Sequence, residues 1–213
     1  NKSKSTDNAL GELFIPVGYE RLQGKAITSV LSSIVHPWFF EQLRTEEQLG
    51  YAVFAFQASM GEQSGLGFLL QSNAKPPVYL NERYHAFYQQ AYDRLKKLSE
   101  VEFNQYKKAI IDEVKQPPQT FYEEVSLYRN DFYRNNLKYD GREKFLAQLN
   151  KVTLKQAIEF YEKAIIKPTG LVFVSQIIGK EGNNADYAQN KQWKIYSTVS
   201  ELQKTLPVEE IKE

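Results

Sequence analysis

The sequence predicts an α+β fold, a mostly antiparallel sheet with helices packed on one face. Three observations carry this. Four short apolar runs, Ala9–Val17, Tyr51–Gln57, Leu66–Gln71 and Leu171–Ile178, are bounded by Gly, Pro or polar residues, as strands are. The middle two are joined by a turn around Met60-Gly61-Glu62. Helical periodicities fill the interval between the third run and the fourth, and such segregation of strands from helices marks α+β.

Taken in order, residues 1–8 are polar and read as a linker remnant, ahead of a single domain over 9–206 and a charged, mobile tail over 207–213. The strand at Ala9–Val17 contains Pro16, which ends it or marks an edge. From Gly24 a helix carries Ile27, Val30, Leu31, Ile34, Val35, Trp38 and Leu43 at helical spacings, a stripe facing a core. The pattern stops at Gly50, a residue suited to the left-handed position that closes a helix. The two hairpin runs follow. Their aromatics Phe54, Phe56 and Phe68 alternate with small or polar neighbours and read first of all as core.

Residues 72–77, Ser-Asn-Ala-Lys-Pro-Pro, break the chain before a helix with Leu80, Tyr84, Phe87, Tyr88, Ala91 and Leu95 on one face. Ser99 with Glu102 is a capping-box start for the next helix, which Pro117-Pro118 ends. Thr120 with Glu123 repeats the signature and opens a helix toward Asn136. Glu143–Leu149 and Leu154–Ile166 are two more, the second capped by Thr153. Leu171–Ile178 is the clearest β-run, followed by a polar loop over 179–190 and then a short edge strand expected at Trp193–Tyr196.

Composition bounds the function. With 213 residues, 42% hydrophobic and 14% aromatic, the chain is a folded globule able to bury a sizeable core. Its 27 Lys and Arg against 26 Asp and Glu give a net charge of +1, which offers no electrostatic reason for a nucleic-acid partner. No run approaches the roughly 20 apolar residues that span a bilayer, and no membrane partner is expected. The absence of cysteine excludes disulfides and thiolate chemistry. A start at Asn1, without Met, reads as a processed chain or an excised piece.

A zinc hydrolase needs about three closely spaced protein ligands and an open position for water. His36 and His85 are the chain's two histidines, and neither lies in H-x-x-E-H or H-E-x-x-H. His36 reads as a helix-end residue packed beside Trp38 and His85 as a surface or packing residue, so no metal is expected on this chain and no peptide hydrolysis by it alone. The adjacent pairs Glu46-Glu47 and Glu123-Glu124 read as solvated helix faces. Arg44 and Tyr51 remain, flanking a helix-to-strand corner where a rigid frame aims side chains outward. A guanidinium and a phenol there can donate to peptide carbonyls, which all peptide substrates share. The residues alone also allow a bland arrangement, Arg44 paired with Glu47 and Tyr51 as a strand aromatic.

The segment Arg44-Thr45-Glu46-Glu47-Gln48-Leu49-Gly50-Tyr51, preceded by His36-Pro37-Trp38-Phe39 and followed by Leu69-Leu70-Gln71-Ser72, resembles the last domain of the zinc endopeptidases of the insulin-degrading-enzyme (inverzincin) family. The likeness runs from about Leu10 to Trp193. It implies one non-catalytic domain of a repeated set. It also implies that zinc, its ligands and the general-base Glu come from an N-terminal half of the same polypeptide. In that arrangement Arg44 and Tyr51 contact a peptide substrate near the scissile bond inside a closed chamber, with Tyr51 as a transition-state donor. Gln48, between them, is a candidate for orienting either one. A periplasmic location is implied as well. The competing implication is an inactive scaffold subunit of the same fold, since the family includes relatives without the zinc motif.

Overall fold

A computed structural model describes residues 5–191, 193–198, 200–201 and 204. Residues 1–4 of the expected linker and the expected tail over 207–213 lie outside the described residues.

Four strands form one sheet in the order β2-β3-β1-β4, with every neighbouring pair antiparallel. They are β1 (Asn8–Ile15), β2 (Ala52–Met60), β3 (Gln63–Ser72) and β4 (Leu171–Ile177). Between them run α1 (Arg21–Phe40), α2 (Pro77–Lys97), α3 (Glu100–Lys115), α4 (Phe121–Tyr133), α5 (Gly141–Lys151) and α6 (Leu154–Tyr161). The fold is α+β as the sequence predicts.

β1 is an interior strand that stops before Pro16, whose missing N–H could not serve the ladder. It starts at Asn8, paired with Ser72, inside the stretch read as linker. Trp193–Tyr196 is irregular and adds no strand, so β4 is an edge. The Ser99–Glu102 capping box forms on α3, and Thr153 with Gln156 forms one on α6. At α4 only half of the box forms. Thr120 accepts from the Glu123 N–H, but Glu123 reaches back to the N–H of Gln119.

The strand period of two divides the sheet into two faces. The inner face presents Leu10 and Phe14, Val53 and Ala55, and Leu66, Phe68 and Leu70 to α1 and α2. Phe68 is the hub, with Phe39 edge-on at 5.2 Å and Tyr88 at 4.9 Å between ring centroids. Two buried phenols are satisfied by backbone: Tyr84 donates to the Leu10 carbonyl and Tyr161 to that of Tyr88.

Phe54 and Phe56 depart from the expected core placement. Phe68 pairs with Ala55, so Phe54 and Phe56, one step either side, face the opposite way and are 47% and 43% exposed. Phe56 lies over Gly67, where a Cβ would meet its ring at 2.5 Å. With Leu69 and Phe173 they make the outer face apolar, and no described helix covers it.

Candidate functional site

The corner between α1 and β2 is built by a change of helical winding. After Phe40 the helix continues as a π-helical turn over Glu41–Glu46, in which the Glu47 N–H reaches five residues back to Gln42. Gln48 then takes a left-handed conformation, φ 53°, and the Leu49 N–H returns to the Leu43 carbonyl. Buried Leu43 and Leu49 pull both ends of this turn into the core.

The left-handed residue is thus Gln48, where Gly50 was expected. Gly50 is required for a different reason: a Cβ there would sit 2.1 Å from the Gln71 carbonyl oxygen on β3. That close approach carries the chain past β3, and the Tyr51 N–H donates to the same carbonyl at 3.2 Å.

Arg44 and Tyr51 are brought to this corner together. Arg44 Nη1 donates to the Gly50 carbonyl at 2.6 Å, which pins the guanidinium next to the tyrosine in sequence. It does not pair with Glu47. That carboxylate is held by the Arg83 fork on α2, Nε at 2.7 Å and Nη2 at 2.8 Å, and by Gln42. The Arg83 hydrogen bonds hold Glu47 below the usual carboxylate range. Arg83–Glu47 therefore braces the turn, and the remaining N–H groups of Arg44 are not spent on it.

Gln48 serves the corner through its backbone. Its side chain is exposed and hydrogen-bonds to neither Arg44 nor Tyr51.

Tyr51 is 48% exposed, and its O–H donates to Asp7 Oδ2 at 2.9 Å. Gln71 Nε2 donates to the same oxygen at 3.1 Å. The hydrogen bond to the Asp7 carboxylate raises the phenol's pKa above its ordinary value, and the repulsion between two adjacent negative groups adds to it. Sequence reasoning missed Asp7 altogether: it sits in a polar stretch with no periodicity. Gln71 stood inside the family-like segment but without a role.

Neither histidine is arranged as a ligand. His36 Nδ1 accepts the Ala55 N–H at 3.2 Å, and its ring stacks on Phe54. His85 lies edge-on to Tyr88, and burial lowers its pKa. Among the described residues no group of three or more His, Cys, Asp or Glu is placed to hold a metal ion. The side chains described here do not fit a zinc site.

A four-stranded antiparallel sheet with helices on one face is shared with known proteins. The chain is 47% identical to Protease 3 of Salmonella typhi over 204 residues, 96% of this chain and 21% of that protein. It is 27% identical to the A-factor-processing enzyme of Saccharomyces cerevisiae over 194 residues, 88% of this chain and 19% of that one. The family model for the PQQ synthase PqqF-like C-terminal lobe domain 4 matches residues 30–129. The chain belongs to the insulinase family of peptidases, in which insulin-degrading enzyme and the pitrilysins fall. Within it, the likeness is to the C-terminal domain of pitrilysin: its crystal structure superposes with a TM-score of 0.91 at 45% identity, over 97% of this chain and 22% of that one. The chain therefore spans about a fifth of the length of the curated relatives it matches.

Proposed function

We propose that this chain is the substrate-facing C-terminal domain of a longer zinc endopeptidase that cleaves peptides in an enclosed chamber. Zinc and its ligands belong to an N-terminal half of the same polypeptide, and the domain over 9–206 supplies donors and wall. The observation that carries this is the convergence of Arg44 and Tyr51 on one rigid corner, with Glu47 taken by Arg83 so that Arg44 keeps donors to spare. The apolar outer face of the sheet gives side chains of an extended peptide a surface to lie on.

Arg44 binds backbone carbonyls or a carboxylate of the peptide. Tyr51 donates to the carbonyl oxygen as negative charge develops there, a contact stronger in the transition state than in the ground state. Gln48 contributes by holding the turn between them. We further propose a periplasmic location for the longer protein, a reading the family resemblance supports and cell fractionation with antibody detection checks.

The test is cleavage of a quenched fluorescent peptide by the complete polypeptide. Tyr51→Phe lowers kcat more than it raises KM, and Arg44→Ala raises KM. Loss of binding at Tyr51→Phe with full turnover would overturn the donor role. Unchanged kinetics in both variants would leave the corner structural, and no cleavage by the zinc-loaded wild type would favour a scaffold subunit.

A further inference from the structure

Asp7 lies ahead of β1 in a segment that composition marks as a tether, yet the fold fastens it. The Lys180 N–H donates to the Ser5 carbonyl at 2.9 Å, and the Gly179 N–H to Asn8 Oδ1 at 2.9 Å. The Asp7 N–H itself turns back to Ser5 Oγ at 3.2 Å. So held, Asp7 Oδ2 receives the Tyr51 O–H and the Gln71 amide. Gln71 in turn accepts the Tyr51 N–H through its carbonyl. Two residues from separate segments, Asp7 and Gln71, thereby close around one tyrosine.

Packing does not set the pose of Tyr51, because nearly half of it faces outward. A side chain loose at a binding corner loses its rotamer freedom only when substrate arrives, and that loss weakens binding or catalysis. Asp7 removes the freedom beforehand. It also governs the phenol's single proton. A carboxylate is a stronger acceptor than a neutral peptide carbonyl, so in the resting complex the O–H stays on Asp7. A developing oxyanion carries charge of its own and competes for that proton. Donation is then made in the transition state and not in the ground state.

We propose that Asp7, backed by Gln71, is a positioning residue that holds the Tyr51 phenol aligned and reserves its proton for the charged stage of the reaction. This rests on the reading of Tyr51 as a substrate contact.

Two measurements test it. In the chain labelled with ¹³Cζ-tyrosine, the Tyr51 resonance is assigned by its loss in Tyr51→Phe, and its ionisation is followed by NMR. Asp7→Ala and Asp7→Asn both lower the phenol's pKa toward that of an ordinary tyrosine, since each removes the adjacent negative charge. In the complete polypeptide acting on the fluorescent peptide, Asp7→Ala lowers kcat by roughly threefold to tenfold with KM nearly constant. Asp7→Asn keeps an acceptor oxygen for alignment, but a neutral one, so its kcat falls less than that of Asp7→Ala. Asp7→Ala adds nothing in the Tyr51→Phe background. An unmoved phenol pKa, a full kcat in Asp7→Ala, or additive losses in the double variant would each overturn the proposal. Tyr51→Phe with wild-type kinetics, alongside a shifted phenol pKa in Asp7→Ala, would instead bring down the substrate-contact reading of Tyr51 and leave the Asp7–Tyr51 contact intact.

Discussion

Two carboxylates at the start of this fold have nearly the same partners and opposite surroundings. Asp7 accepts from the Tyr51 O–H and the Gln71 amide at the rim of the sheet. Glu12, five residues on and inside β1, accepts from the Tyr88 O–H at 2.8 Å and the Asn81 amide at 2.8 Å. Asp7 is half-buried beside an exposed ring, whereas Glu12 is 4% exposed on the inner face. Burial pushes the Glu12 carboxyl up to about 7, and its two hydrogen bonds offset only part of that. Identical donor types thus make a positioning device at a wet rim and a proton-holding core group in a dry one. The surrounding dielectric decides which.

The largest effect expected from this contrast is on stability against pH. Between the ordinary value of 4.5 and about 7, the folded chain keeps a proton on Glu12 that the unfolded chain has released. Stability therefore falls as pH rises through that window and levels off above it, the reverse of a salt-bridged carboxylate. Glu12→Gln removes this slope. Urea unfolding should find the variant about 3 kcal/mol more stable than wild type at pH 8, with almost no difference at pH 4. An equal difference at both pH values would contradict the protonation of Glu12 in the core.

A smaller change follows from its partner. Tyr88→Phe leaves one buried acceptor of Glu12 unmet and should destabilise the chain by about 2 kcal/mol at pH 8, as measured in the same urea series. Smallest of all is Asp7→Ala, for which the midpoint of thermal unfolding should stay within experimental error of wild type, because water accepts from both donors at the rim in place of the carboxylate. A clear drop there would mean that Asp7 secures β1, and the contrast between rim and core would fail.

Much of the architecture was legible beforehand because it rests on local rules. The apolar stripe from Ile27 to Leu43 forms α1 and its π-helical extension, and the Ser99 and Thr153 boxes open α3 and α6. Arg44 and Tyr51 were singled out as flanking one corner, and they do. Their partners were not legible. Arg44 with Glu47 is a natural short-range pairing, but Glu47 turns to Arg83, 36 residues away on α2. Gly50 looked like a helix terminator. Its true constraint is the Gln71 carbonyl of a strand it meets only after the hairpin closes.

The sequence by itself determined the class of fold, the order of its elements and the absence of a zinc motif in this chain, since each depends on residue types at short spacings. Tertiary structure alone decided which face of β2 its phenylalanines occupy, because one residue of register reverses every side chain. It alone decided that a polar stretch before the first strand would reach Tyr51, 44 residues on, and that Glu12 would lie in the core. Hydrogen bonds between distant segments and the dielectric around a carboxylate exist only once the chain has closed on itself, and no spacing in the sequence encodes them.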